Sequence, residues 1–253
     1  MSWGTVVIDA LPERAPRYVA DHAVIAIDVI RATTTAVTVV ALGRRCVCVP
    51  SIPDAFRVRR RLDGALLGGE LEGRTPDGFD VGNSPTTLAR RTDVHRPLVL
   101  LSSSGTRLLH AVRDAESVYL ACFRNAAAVA RHVVVRHRRI AVIGAGSHGQ
   151  FRTEDQICCA WIAAVLLEAG YEAADARTSA VVARWRGAPA AACASGASAD
   201  YLRRSDQVAD LDFVLTHVND LETVFTLLAD GEVVALPAEG SAATLRGKAA
   251  LGA

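Results

Sequence analysis

Residues 23–35 read AVIAIDVIRATTT: an apolar run, an acid at Asp28, then Val29, Ile30 and Arg31, and a threonine triplet at Thr33, Thr34 and Thr35. A short Val/Ile-rich run of this kind reads as a buried strand, and the Ala and Val residues over 33–42 recur at helical spacing, so the stretch is a strand followed by a helix. The same alternation continues in both directions. Strands are expected at 5–9, 23–29, 45–49, 98–101, 117–121, 139–143, 213–216 and 233–237, and helices at 33–42, 52–62, 106–111, 125–137, 154–169 and 220–228. Strands alternating with helices predict an α/β fold, layered α/β/α, around a largely parallel or mixed sheet. No Pro/Gly linker divides the chain, which is read as one domain over 1–253, with two fused lobes meeting near 136–139 as the alternative.

Composition narrows the function classes. With 253 residues, 51% of them hydrophobic, the chain can bury a sizeable core. Twenty-eight Lys and Arg against 27 Asp and Glu leave a formal charge of +1, so no basic footprint for nucleic acid is present. The apolar stretch over 126–135 is broken by Arg131 and His132, short of the roughly 20 residues of a membrane span, and the N-terminus lacks the pattern of a signal peptide. A cytoplasmic location is expected. The six cysteines, Cys46, Cys48, Cys122, Cys158, Cys159 and Cys193, have no C-x-x-C spacing and read as buried, reduced thiols. His132 and His137, beside arginines, read as solvated.

In α/β sheets ligands gather beyond the carboxyl ends of strands, so polar residues directly after apolar runs are the candidates for chemistry. Asp28 is placed to hold a metal, and Arg31 with Thr33, Thr34 and the following helix N-terminus to hold an anion, although the segment alone also fits a helix capped by Thr33 with Arg31 on the surface. A Gly-dense loop over 68–85, GGELEGRTPDGFDVGNSP, carries Glu70, Gly78, Asp80, Gly82, Asn83 and Ser84. The run LVLL at 98–101 leads into SSSGTR at 102–107, a second candidate anion nest with Ser104, Gly105, Thr106 and Arg107. After IAVI comes GAGSHGQFRTED at 144–155. Its Gly144, Gly146 and Gly149 match G-x-G-x-x-G, yet Thr153 reads as the N-cap of a helix whose first turn holds Glu154 and Asp155, and no convincing acid-ended strand follows over 170–176. Arg152 stands directly before that helix.

Taken in order, these four segments resemble the 2-phosphosulfolactate phosphatase family over most of the chain, with 202–236 fitting only loosely. The resemblance implies a single phosphatase-like domain that hydrolyses a small anionic phosphoester, such as 2-phosphosulfolactate or a related phosphorylated acid, with Mg²⁺, on the way to coenzyme M in organisms that make it. It implies catalytic roles for Asp28, Arg31, Arg107 and Glu154, substrate contacts from Thr33, Thr34, Gly78, Asp80, Asn83, Ser84, Gly105 and Thr106, and metal ligation among Asp28, Glu70, Glu154 and Asp155; Ser104 and Arg152, beside these motifs, are further candidates for substrate contact. Ser104 stands where the family usually has Asn, which leaves the native substrate open. Whether Asp28 is a metal ligand or a nucleophile is open as well. The expected partner is a small anionic phosphorylated substrate, and a homodimer is a candidate assembly. Two other function classes stay in view: a non-catalytic phosphate or sulfonate binder, and a nucleotide-dependent oxidoreductase using the 144–149 loop.

Overall fold

The computed structural model describes residues 2–237, so the expectation of a frayed tail beyond Pro237 lies outside the described residues. The chain runs β1 (Gly4–Ala10), β2 (Ala23–Ile27), α1 (Ala32–Ala41), β3 (Cys46–Val49), α2 (Ile52–Arg59), β4 (Leu66–Gly69), α3 (Pro85–Ala89), β5 (Leu98–Leu101) and α4 (Gly105–Val112). It continues through β6 (Val118–Ala121), α5 (Ala126–Val134), β7 (Arg139–Gly144), α6 (Thr153–Glu168), β8 (Tyr171–Ala173), α7 (Ala176–Trp185), α8 (Ala197–Arg204), α9 (Val208–Thr216), β9 (Phe225–Leu227) and β10 (Glu232–Ala235).

Among the described residues one sheet takes in all ten strands, in the order β4-β5-β3-β10-β9-β6-β2-β7-β1-β8. Side chains alternate across it, as a period of two requires. Ile25, Ile27, Ile140 and Val142 pack with Val129, Ile157 and Ile162 of α5 and α6 on one face. Val24, Ala26, Ala141 and Ile143 pack with Val37 and Leu108 of α1 and α4 on the other. At the far end α2 covers Val47, Leu67 and Val99. This is the layered α/β/α architecture the alternation predicts. All six thiols are free and buried.

Two parallel blocks make up the sheet. β6, β2, β7, β1 and β8 form one, and β3, β5 and β4 the other. Between them lies the β9–β10 hairpin, antiparallel to itself and to both flanking strands, so the blocks run in opposite senses along the ladder. Adjacent strands twist by roughly 20–25°, and five steps from β2 to β5 turn the strand axis by on the order of 100°. That turn brings the carboxyl ends of both blocks to one side, where Asp28 after β2 meets Gly105 at the start of α4.

The hairpin region departs from the sequence expectation twice. Residues 213–216, expected as a strand, are the last turn of α9, whose buried Asp210, Leu211 and Val214 fall at helical spacing. Residues 220–228, expected as a helix, contain β9, in which Phe225 and Leu227 are buried and Thr226 is half-buried. A four-residue apolar run does not distinguish the two periods by itself; here the tertiary partners decide, β9 pairing with β6 and β10. Four further elements, β4, α3, β8 and α7, are not among the expected ones, and α8 falls largely beyond the small-residue stretch over 188–198. His132 and His137 are half-buried rather than solvated: His137 Nε2 lies 2.8 Å from the Tyr119 hydroxyl and His132 meets the same ring edge-on.

Candidate functional site

At the carboxyl ends of β2, β4, β5 and β7 a cleft of about 520 Å³ opens. Asp28, Arg31, Glu70, Asn83, Ser104, Arg107, Arg152, Glu154 and Asp155 all line it, so most of the residues singled out by sequence come together. They are brought there by four different loops.

Asp28 leaves β2 with its backbone locked from beneath. Its N–H donates to Thr33 Oγ1 at 2.9 Å, and the Thr33 N–H donates back to the Asp28 carbonyl at 3.0 Å. The Thr33 hydroxyl also reaches the Ala121 carbonyl, and Thr34 Oγ1 donates to the Val29 carbonyl at 2.7 Å. Thr33 and Thr34 are therefore buried supports of the Asp28 turn, outside the lining. Burial, and after it the Glu70 carboxylate, push Asp28 up to about 7.

Asp155 is fixed beside it by two N–H donors, Val29 at 2.9 Å and Gly146 at 3.1 Å. Its pKa is nonetheless held well above the usual carboxylate range, first by burial and then by Asp28 and Glu154. Glu154 is 1% exposed, and burial raises its pKa. Both acids belong to the first turn of α6, which begins at Thr153 with Arg152 rather than Thr153 in the capping position. Glu70 is held by Ser103 N–H at 2.8 Å on one oxygen and by Gly73 N–H at 2.7 Å on the other.

Arg31 is buried, not on the surface. Its Nη1 donates to Asp210 Oδ2 at 2.6 Å and to Gln207 Oε1. Arg107, one turn into α4, is half exposed and lies 3.4 Å from Glu13. Gly105 stands under Asp28, and Thr106 is buried, closing the loop by bonds to Ser102. Gly78, Asp80 and Ser84 are not brought to the cleft. Asp80 shields the edge of the sheet, its carboxylate accepting the Leu67 N–H at 2.8 Å, and Ser84 caps α3 while donating to Asp210 Oδ1 at 2.8 Å.

Four buried side-chain polar atoms have no partner among the described residues, and three of them belong to this lining: Asn83 Oδ1, Arg152 Nε and Glu154 Oε2. Folded proteins rarely leave such groups unpaired, since each costs about 1–3 kcal/mol, so their concentration here marks a place built for a ligand.

The fingerprint glycines serve packing. A Cβ on Gly144 would stand 2.4 Å from the Phe151 ring, and one on Gly146 would stand 2.6 Å from the Gln150 carbonyl. Ser147 and Gln150 exchange backbone bonds at 3.0 Å, folding the loop on itself before α6 starts. The next strand, β8, pairs with β1 and is no neighbour of β7, and Asp175 after it is spent capping α7. A dinucleotide needs the helix to open within the glycines and an adjacent acid-ended strand, and this loop provides neither.

A family model described as 2-phosphosulpholactate phosphatase matches residues 9–229. The chain belongs to the 2-phosphosulfolactate phosphatase family. A probable 2-phosphosulfolactate phosphatase of Deinococcus radiodurans is 35% identical over 211 residues, 81% of this chain and 86% of that protein. One from Carboxydothermus hydrogenoformans is 36% identical over 149 residues, 58% of this chain and 62% of its own length, so that match spans less than two thirds of the relative. In this phosphatase family member the matched range includes Asp210 and Gln207, which no sequence motif singles out. Asp210 had one legible signal: an acid on the same helical stripe as the buried Leu211 and Val214.

Proposed function

We propose that this family member is a phosphoric monoester phosphatase that hydrolyses a small, anionic phosphoester such as 2-phosphosulfolactate or a related phosphorylated acid. The observation that carries the reading is the set of unpaired buried atoms, Asn83 Oδ1, Arg152 Nε and Glu154 Oε2, on one cleft that also holds Asp28 and Arg31.

The donor set suits Mg²⁺. Among the described residues no three His, Cys, Asp or Glu side chains form a ready-made cage, but this ion is commonly held by one or two carboxylates with water and phosphate oxygens completing its shell. Asp28 and Glu154 are the leading ligands, with Asp155 and Glu70 beside them; bound there, the ion would act as a Lewis acid toward a phosphoryl oxygen. Three buried acids with raised pKa values in one cleft are the arrangement that a cation stabilises.

The chain's own groups do the rest. Arg31 and Arg107 neutralise the non-bridging oxygens as charge spreads in the transition state, and the free N–H groups at the start of α4 orient them. Arg152 meets the remaining acidic group of the substrate or the phosphate itself. Thr33 and Thr34 keep Asp28 from relaxing away. Reduced, buried thiols fit work in the cytoplasm. No helix among the described residues is long and apolar enough to cross a membrane.

The test is release of phosphate from p-nitrophenyl phosphate and from phosphorylated hydroxy acids, with and without Mg²⁺. Turnover that needs the metal and disappears in Asp28→Asn is expected. Undiminished turnover in that variant, or none over the whole panel with intact phosphate binding, sinks the reading.

A further inference from the structure

We infer that Asp210 is the positioning residue for Arg31, aiming one edge of its guanidinium at the phosphate, so that helix α9 is part of the active centre. This rests on the reading of Arg31 as a phosphate ligand. Both side chains are almost wholly buried, Arg31 to 5% and Asp210 to 3% exposure. Among the described residues only Nη1 of Arg31 is hydrogen-bonded, to Asp210 Oδ2 at 2.6 Å and to Gln207; Nε and Nη2 make no hydrogen bond there, are not among the buried unpaired atoms, and belong to a side chain that lines the cleft. A guanidinium is a rigid planar fork, so holding one nitrogen from behind fixes the plane of the others. The anchor is itself anchored. Asp210 Oδ1 accepts from Ser84 Oγ at 2.8 Å and from Thr86 N–H at 3.2 Å, and Thr86 Oγ1 donates to the Ala209 carbonyl at 3.1 Å.

The carboxylate is thus divided, one oxygen for the arginine and one for the loop that delivers Asn83. An arginine whose rotamers are settled on folding binds an oxyanion without paying that ordering cost at each turnover. A lone buried Arg31 would in turn be strained and mobile, so the pair acts as a unit.

The experiment is a double-mutant cycle on the full chain, read as kcat/KM for p-nitrophenyl phosphate and as binding of inorganic phosphate by calorimetry. Arg31→Ala and Asp210→Asn are each expected to lower both quantities by about tenfold or more, with the double variant no worse than Arg31→Ala alone. Losses that multiply in the double variant overturn the inference, because they give Asp210 a role that does not pass through Arg31. Wild-type behaviour of Asp210→Asn beside a defective Arg31→Ala overturns it too. If Arg31→Ala is itself silent, the phosphate-ligand reading fails first and this inference with it. Should Asp210→Asn not fold, Gln207→Leu decides: it withdraws the other acceptor of the same nitrogen, and an unchanged kcat/KM at an unchanged thermal midpoint counts against positioning, while a fall of about threefold supports it.

Discussion

Gly105 lies so close to Asp28 that a Cβ built on it would stand 2.3 Å from Asp28 Oδ2 and 2.6 Å from the Ala32 Cβ. The first residue of α4 is therefore a glycine for reasons of contact: it lets a helix N-terminus and a buried carboxylate share one wall of the cleft. Gly105→Ala favours the helix by up to about 1 kcal/mol on propensity alone, yet must displace Asp28 or tilt α4. Phosphate release is expected to fall by about tenfold or more while the fold persists. Circular dichroism with steady-state kinetics checks this, and a fully active variant would show that the contact does not matter.

The raised carboxyls make a signed prediction about pH. A carboxyl whose folded pKa is raised keeps a proton the unfolded chain has lost; its stabilisation is complete below the unfolded value near 4 and vanishes as pH rises through the folded one, about 7 for Asp28. In metal-free protein, Asp28 therefore lowers the thermal midpoint progressively between about pH 4 and 7 and has little further effect above that. His132 and His137, whose pKa values burial lowers, pull the other way over part of that window, so the quantity to read is the difference between parent and Asp28→Asn. The variant should stand above the parent at pH 8, with the gap closing toward about pH 4. Added Mg²⁺ should raise the parent's midpoint at pH 8 and leave the variant nearly unmoved.

Tyr201 ties α8 to the glycine-rich loop. Its hydroxyl donates to the Gly73 carbonyl at 2.6 Å, in a gap where a Cβ on Gly73 would stand 2.2 Å from that oxygen. Tyr201→Phe removes this bond at a cost of about 0.5–1.5 kcal/mol. Faster amide exchange confined to the loop around Gly73, with a higher KM and little change in kcat, is the expected result. Exchange unchanged in that loop would mean that the contact does not hold it.

Leu120 of β6 is fully buried between the hairpin and β2, among Val24, Phe225 and Leu227. Leu120→Ala should destabilise by about 2–5 kcal/mol, since the surrounding strands cannot collapse into the void. Urea unfolding measures the loss, and a change below about 1 kcal/mol would show that the hairpin relaxes into it.

The sequence by itself determined the layered α/β class, most of the strands and the order of the polar clusters, because alternating burial on a sheet and helical spacing on its covering helices are local patterns. The strand at 98–101 and the helix at Thr153–Glu168 are legible from a dozen residues each. Asp28, Arg107 and Glu154 were legible as candidates because each follows an apolar strand or stands in the first turn of a helix, and Glu70 because it stands in the Gly-dense loop over 68–85.

The tertiary structure alone decided the rest. Residues 213–216 and 220–228 exchanged helix for strand because pairing with β6, not local preference, selects the conformation of β9. Thr33, Thr106 and Asp80 became supports instead of contacts once their hydrogen bonds were spent on backbone. The partnership of Arg31 with Asp210 joins residues 179 apart in the chain. No local pattern encodes such a pair; it exists because a twisted sheet of two opposed blocks turns both sets of strand ends, and the helix packed beside them, toward one cleft.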